Sequence, residues 1–135
     1  MKKSILEVIL NKCKRTLKSH PEYENFPHWT FLVQDNQIVS QGLNRKHEPS
    51  LSLGYHNCKD KSFIPKWHSE PDSIKRCVRI LNNFSAINVR LNRQGQMKMS
   101  MPCKTCRRIL STLNCKKVYF TTEFGWQSLT LRNGY

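Results

Sequence analysis

The residues of this sequence best suited to chemistry are Cys103 and Cys106 of "PCKTC", together with His68 and Glu70 of "HSE". A C-x-x-C spacing alone serves structural zinc sites, redox pairs and catalytic metal centres. Three apart on a helix, the two sulfurs can face one point. At a helix start, gathered backbone N–H groups favour thiolates that hold a cation. With the imidazole of His68 they make three ligands, and three protein ligands plus water is the pattern of a catalytic zinc site, whereas a closed structural site takes four. Glu70 stands two residues beyond the histidine, near enough to a metal-bound water of pKa about 7 to take its proton and hand it to a leaving group. The set points to metal-assisted hydrolysis. A closed site completed by Cys77, Cys115, His56 or Cys58 is the structural alternative, and a redox pair is another, although a thioredoxin-like motif belongs after the first strand of its fold. Taken singly, His68 also reads as a packed core histidine, and Glu70 as a first-turn carboxylate favoured by the helix dipole.

The elements that must position these residues follow from periodicity. Leu6, Ile9, Leu10, Cys13 and Leu17 recur at helical spacing, with Ser4 and Glu7 as a capping pair and Pro21 as the stop. "TFLVQDNQIVSQG" predicts two strands around a turn at Asp35 and Asn36. From 42 to 67 no periodicity persists, and a loop this long in a small domain implies a function. Ile74, Cys77, Val78 and Leu81 predict a second helix opening at "HSEP", with Pro71 in its first turn, where a missing N–H is harmless. Ile87, Val89 and Leu91, then Met97, Met99 and Met101, predict two strands around Gly95, the methionines forming a buried face. "PCKTCRRILSTLN" predicts a third helix beginning just after Pro102. "KKVYFTT" and "WQSLTL" predict two strands joined at "EFG". This order implies a mixed sheet flanked by helices.

With 135 residues and 38% hydrophobic content the chain fits one domain, 1–135. No apolar run approaches the roughly 20 residues of a membrane span. The polar interruptions at Glu7 and Asn11 argue for a mature helix instead of a signal peptide, so a cytoplasmic location is expected, with the six cysteines as thiols or metal ligands. Twenty-three Lys and Arg against nine Asp and Glu give a net charge of +14, which favours a polyanionic partner such as nucleic acid or a phosphorylated substrate. The basic residues cluster, for example at Lys12, Lys14, Arg15 and Lys18, at Lys59, Lys61 and Lys66, and at Lys104, Arg107 and Arg108. Tyr55, Phe63 and Trp67 in the long segment offer stacking surfaces, with Trp67, next to His68, the best placed.

"HSE" with "PCKTC" resembles the H-x-E…P-C-x-x-C signature of the zinc-dependent cytidine deaminase-like superfamily of nucleobase deaminases, and the predicted element order resembles that superfamily's core along nearly the whole chain. The resemblance implies an α/β, three-layer fold with a mixed five-stranded sheet. It implies Zn²⁺ on His68, Cys103 and Cys106, with Glu70 as the proton shuttle. "GLN" resembles the family's G-x-N turn, so Asn44 would bond the sugar, and the Ser69 N–H and Met101 carbonyl would read the base edge. Ser69, Pro71 and Met101 depart from the commonest family residues at their positions. The absence of a helix between the last two strands implies an antiparallel final strand, as in the free-nucleoside deaminases. The expected reaction is cytosine to uracil within single-stranded DNA or RNA, on the strength of charge. The alternatives are free cytidine or (d)CMP, an adenine base in nucleic acid, and a non-catalytic nucleic-acid-binding module that keeps zinc for folding. Relatives acting on free nucleosides commonly assemble, so an oligomer is compatible with this reading.

Overall fold

The structure is a computed structural model describing residues 3–20, 27–44 and 68–131. Tyr55, His56, Cys58, Phe63, Trp67, Pro21 and the basic cluster of Lys59, Lys61 and Lys66 lie outside the described residues. The chain runs α1 (Lys3–Ser19), β1 (His28–Gln34), β2 (Gln37–Leu43), α2 (Ser69–Arg76), β3 (Phe84–Arg90), α3 (Lys104–Thr112), β4 (Cys115–Thr122) and β5 (Gly125–Thr130). No described helix is long and apolar enough to cross a membrane.

The five strands form one sheet of order β2-β1-β3-β4-β5. Only β3 and β4 are parallel neighbours; β1 pairs antiparallel with β2 and β3, and β5 pairs antiparallel with β4, as expected. The hairpin between β1 and β2 turns on Asp35 (φ 54) and Asn36 (φ 61), both left-handed, which is the type I′ geometry that suits strand twist. Helix α1 lays Leu6, Ile9, Cys13 and Leu17 on one sheet face, against Trp29, Phe31, Val33, Ile87 and Val89. The other face carries Leu32, Phe84, Ala86, Val118 and Phe120, covered by Leu110 of α3 and partly by Ile74 of α2. The three layers expected from the sequence are present.

Strand direction explains why two helices begin together. β2 and β3 both run antiparallel to β1, and β4 runs parallel to β3, so β2, β3 and β4 share one direction. Helices that return from β2 to β3 and from β3 to β4 must therefore start at the same end of the sheet, the carboxyl end of those strands.

Three expectations are corrected. Ser4 lies inside α1, which is described from Lys3, so it does not stand ahead of the helix as its cap. Helix α2 stops at Arg76, Cys77 is extended, and Val78 and Ile80 are 96% and 91% exposed. Beyond Cys77 the backbone bonds elsewhere: the Ile80 carbonyl accepts from Gln34 Nε2 and the Asn82 N–H donates to Gln34 Oε1. Cys77 and Leu81 still pack on the core, which is why the apolar period outlasts the helix. The methionine strand is also missing. β3 already has a neighbour on each edge, so Met97 makes only a bridge to Leu91 beyond its end. Met99 and Met101 are 51% and 45% exposed, not a buried face.

Gly42 sets how close α2 can come. A Cβ there would lie 2.3 Å from the backbone nitrogen of Ser73 and 2.5 Å from the carbonyl oxygen of Ser69. Neither backbone atom can yield without displacing the helix. Gly42→Ala should lower stability by about 1–3 kcal/mol, read as a fall in Tm in thermal unfolding; an unchanged Tm would show that α2 does not rest on β2 at this point.

Candidate functional site

His68 and Cys103 are the N-cap residues of α2 and α3, both extended (ψ 156 and 167), and neither side chain caps its own helix. They turn towards each other instead. His68 Nδ1 lies 3.3 Å from Cys106 Sγ and 3.7 Å from Cys103 Sγ, and the three ligand atoms fall within 4.8 Å of one another. Zn–N and Zn–S bonds of ordinary length at a tetrahedral angle place N and S about 3.6 Å apart, so the cradle fits that ion. The Cys103 thiol is pulled well below its usual pKa, first by a hydrogen bond with the Cys106 side chain and then, against the cost of burial, by His68. That thiolate character suits cation binding.

Among the described residues no further His, Cys, Asp or Glu joins the three. Cys77 and Cys115 lie elsewhere, their thiols against the carbonyls of Arg79 and Lys117. Of the fourth ligands that a closed site would need, these two are thus not at hand. Arg107 Nη1 donates to the Pro102 carbonyl at 3.0 Å and steadies the turn that presents Cys103.

Glu70, in the first turn of α2, is 2% exposed. A buried carboxylate needs donors, and β3 supplies one: Asn88 Nδ2 donates to Glu70 Oε2 at 2.8 Å and to the Ser100 carbonyl at 2.9 Å. Proton counting settles the rest of the chain. Thr30 Oγ1 donates its single proton to Asn88 Oδ1 at 2.7 Å, an atom that can only accept, so Ser69 Oγ must donate to Thr30 across the 2.7 Å between their hydroxyls. The Ser69 proton is then spent, and its 3.5 Å separation from Glu70 Oε1 is too long to compete. Oε2 is held and Oε1 keeps its lone pairs.

The remaining expected residues are distributed unevenly. Ser69 starts α2 beside the cluster, but its side chain is fully buried in this network. Asn44 is half-buried after β2, where its Oδ1 accepts from the His28 N–H and its own N–H donates to the His28 carbonyl, both at 3.0 Å. Met101 stands exposed just before Pro102. Trp67 lies outside the described residues. Thr30, Asn88 and Ser100 escaped the sequence reading; the signal available was a polar Asn88 inside an apolar strand that turns out to be central and buried on both faces.

A five-stranded sheet of this order, with two helix starts carrying a His, Cys, Cys cradle at the strands' carboxyl ends, defines the cytidine deaminase-like fold. Particular solved structures agree. The chain matches dCMP deaminase from the cyanophage S-TIM5, solved in complex with dCMP and dUMP, with a TM-score of 0.57 and 16% identity over 89% of this chain and 82% of that one. It matches cytidine deaminase from Burkholderia pseudomallei with a TM-score of 0.52 and 17% identity over 86% and 87%. No protein-family model and no curated protein matches the sequence.

Asn88→Ala would strip the donor from Glu70 and from the Ser100 carbonyl, and leave the Thr30 hydroxyl without its acceptor. Denaturant unfolding should show a loss of about 2–4 kcal/mol, and a loss under about 0.5 kcal/mol would mean that water replaces the amide.

Proposed function

We propose that this protein is a single-domain, zinc-dependent deaminase that converts cytosine to uracil with release of ammonia. The observation that carries the proposal is the convergence of His68, Cys103 and Cys106 beside a buried Glu70 with one oxygen anchored and the other open. His68 through Nδ1 and the two thiolates would hold the ion, which, when bound, supplies Lewis acidity that yields a nucleophilic water at neutral pH.

The chain's own residues do the rest. Glu70 Oε1 takes one proton from the attacking water and gives it to the ring nitrogen beside the reacting carbon, then takes the second from the hydroxyl now on that carbon and gives it to the amino group, which leaves as ammonia while the carbonyl of uracil forms. Asn88, through Oε2, keeps the carboxylate from rotating away during the two transfers. The Ser69 N–H and the Met101 carbonyl are assigned to the base edge, Asn44 to the sugar, and Trp67 to stacking. The thiol ligands suit a reducing cytoplasm, and no disulfide links the described cysteines.

For substrate size, the net charge of +14 supports a cytosine presented within single-stranded DNA or RNA, held by the backbone phosphates. A second reading, a free deoxycytidine nucleotide, is favoured by the antiparallel β5 and by the fold shared with an enzyme named for dCMP. Purified protein assayed on a cytosine-containing oligonucleotide, dCMP and cytidine distinguishes them. The first reading expects oligonucleotide conversion that falls steeply with added salt; conversion of dCMP or cytidine alone selects the second.

Glu70→Ala should lower turnover by about 10²–10⁴-fold while metal analysis still finds about one zinc per chain. His68→Ala and Cys103→Ala should lose the ion itself, and chelation should silence the wild type until zinc is restored. Undiminished activity in Glu70→Ala would remove the mechanism.

A further inference from the structure

β1 brings a second histidine to the site, and none of the roles above uses it. Side chains alternate along a strand, so His28 leaves β1 on the same face as Thr30, whose hydroxyl meets Ser69 at the start of α2. The backbone of His28 is fixed at both polar groups by Asn44. Glu70, Arg90, His68 and Cys103 are the charged groups near enough to act on its ring. It does not belong to the metal cradle. Its Nε2 is shut off from solvent and has no hydrogen-bond partner among the described residues. A buried polar nitrogen left unpaired costs stability that an apolar side chain of similar size would not, so its retention calls for a ligand.

We propose that His28 is a contact residue for the nucleobase, its Nε2 hydrogen-bonding the polar edge of the bound pyrimidine. This rests on the deaminase reading above and adds a residue to it. An uncharged ring fits a base better than a phosphate. Burial, the largest influence, pushes the imidazole pKa down; Glu70 and Cys103 oppose it, and Arg90 and His68 reinforce it.

Kinetics and thermal melting of His28→Leu and His28→Gln test the proposal, with dCMP, deoxycytidine and a single-cytosine oligonucleotide as substrates. For the substrates that the wild type converts, KM should rise about ten-fold in His28→Leu, with kcat changed less, and return to within about three-fold of wild type in His28→Gln. The ratio of KM for dCMP to KM for deoxycytidine should not change, because the contact is to the base. Ligand-free His28→Leu should melt at or above the wild-type Tm, since it removes an orphaned polar atom. An unchanged KM, a KM ratio that follows the phosphate, or a His28→Leu chain that melts lower or fails to fold overturns the proposal. A wild type that converts no member of the panel overturns the deaminase reading and this inference together; failure confined to the variants overturns this inference alone.

Discussion

A carboxylate as deeply buried as Glu70 is tolerable only if donors answer it, and that requirement organises the heart of this protein. The answer comes from β3 through Asn88, whose own amide oxygen is answered from β1 by Thr30, which in turn receives the proton of Ser69 on α2. One chain of hydrogen bonds thus ties two adjacent strands to the helix that carries His68 and Glu70. Each member has a limited number of protons, so the direction of every bond is fixed by its neighbour. The open oxygen of Glu70 is a product of that arithmetic.

The backbone meets the same demand by other means. Helix α2 has only eight residues, too few to hold itself, and it is pinned by contacts that a longer helix would not need. Asp72, almost fully buried, accepts from the Leu43 N–H and from Arg76 Nε; Ser40 donates to the Ser73 carbonyl; and Gly42 removes the side chain that would hold the helix off β2. The short helix is in effect soldered to the hairpin edge, so the placement of His68 is inherited from the sheet.

What was legible in the sequence were the features carried by local chemistry. The α1 stripe, the Asp35–Asn36 turn, the "EFG" connection and the two helix starts that carry His68 and the cysteine pair each follow from neighbouring residues whose types admit few conformations. What was not legible depended on who lies across the sheet. Asn88 reads as the solvent side of an alternating strand until β3 is known to be central, with a covered face on either side. The methionines alternate as a strand should, yet no free edge of β3 is left for them to pair with. Val78 fell on a helical period that Cys77 and Leu81 satisfy from an extended chain. His28 stood two residues ahead of the predicted strand, with nothing local to mark it.

The order in which these pieces lie along the chain has a temporal side. The β1–β2 hairpin closes over a two-residue turn and needs nothing downstream, an event of about 1–10 μs. The hydrogen-bond chain around Glu70 waits for β3, and the His, Cys, Cys cradle waits for the start of α3, which brings Cys103 and Cys106. A chain leaving the ribosome can therefore build its hairpin and even seat α2 while its histidine still has no thiols to face, and the three side chains can converge only when most of its length has emerged.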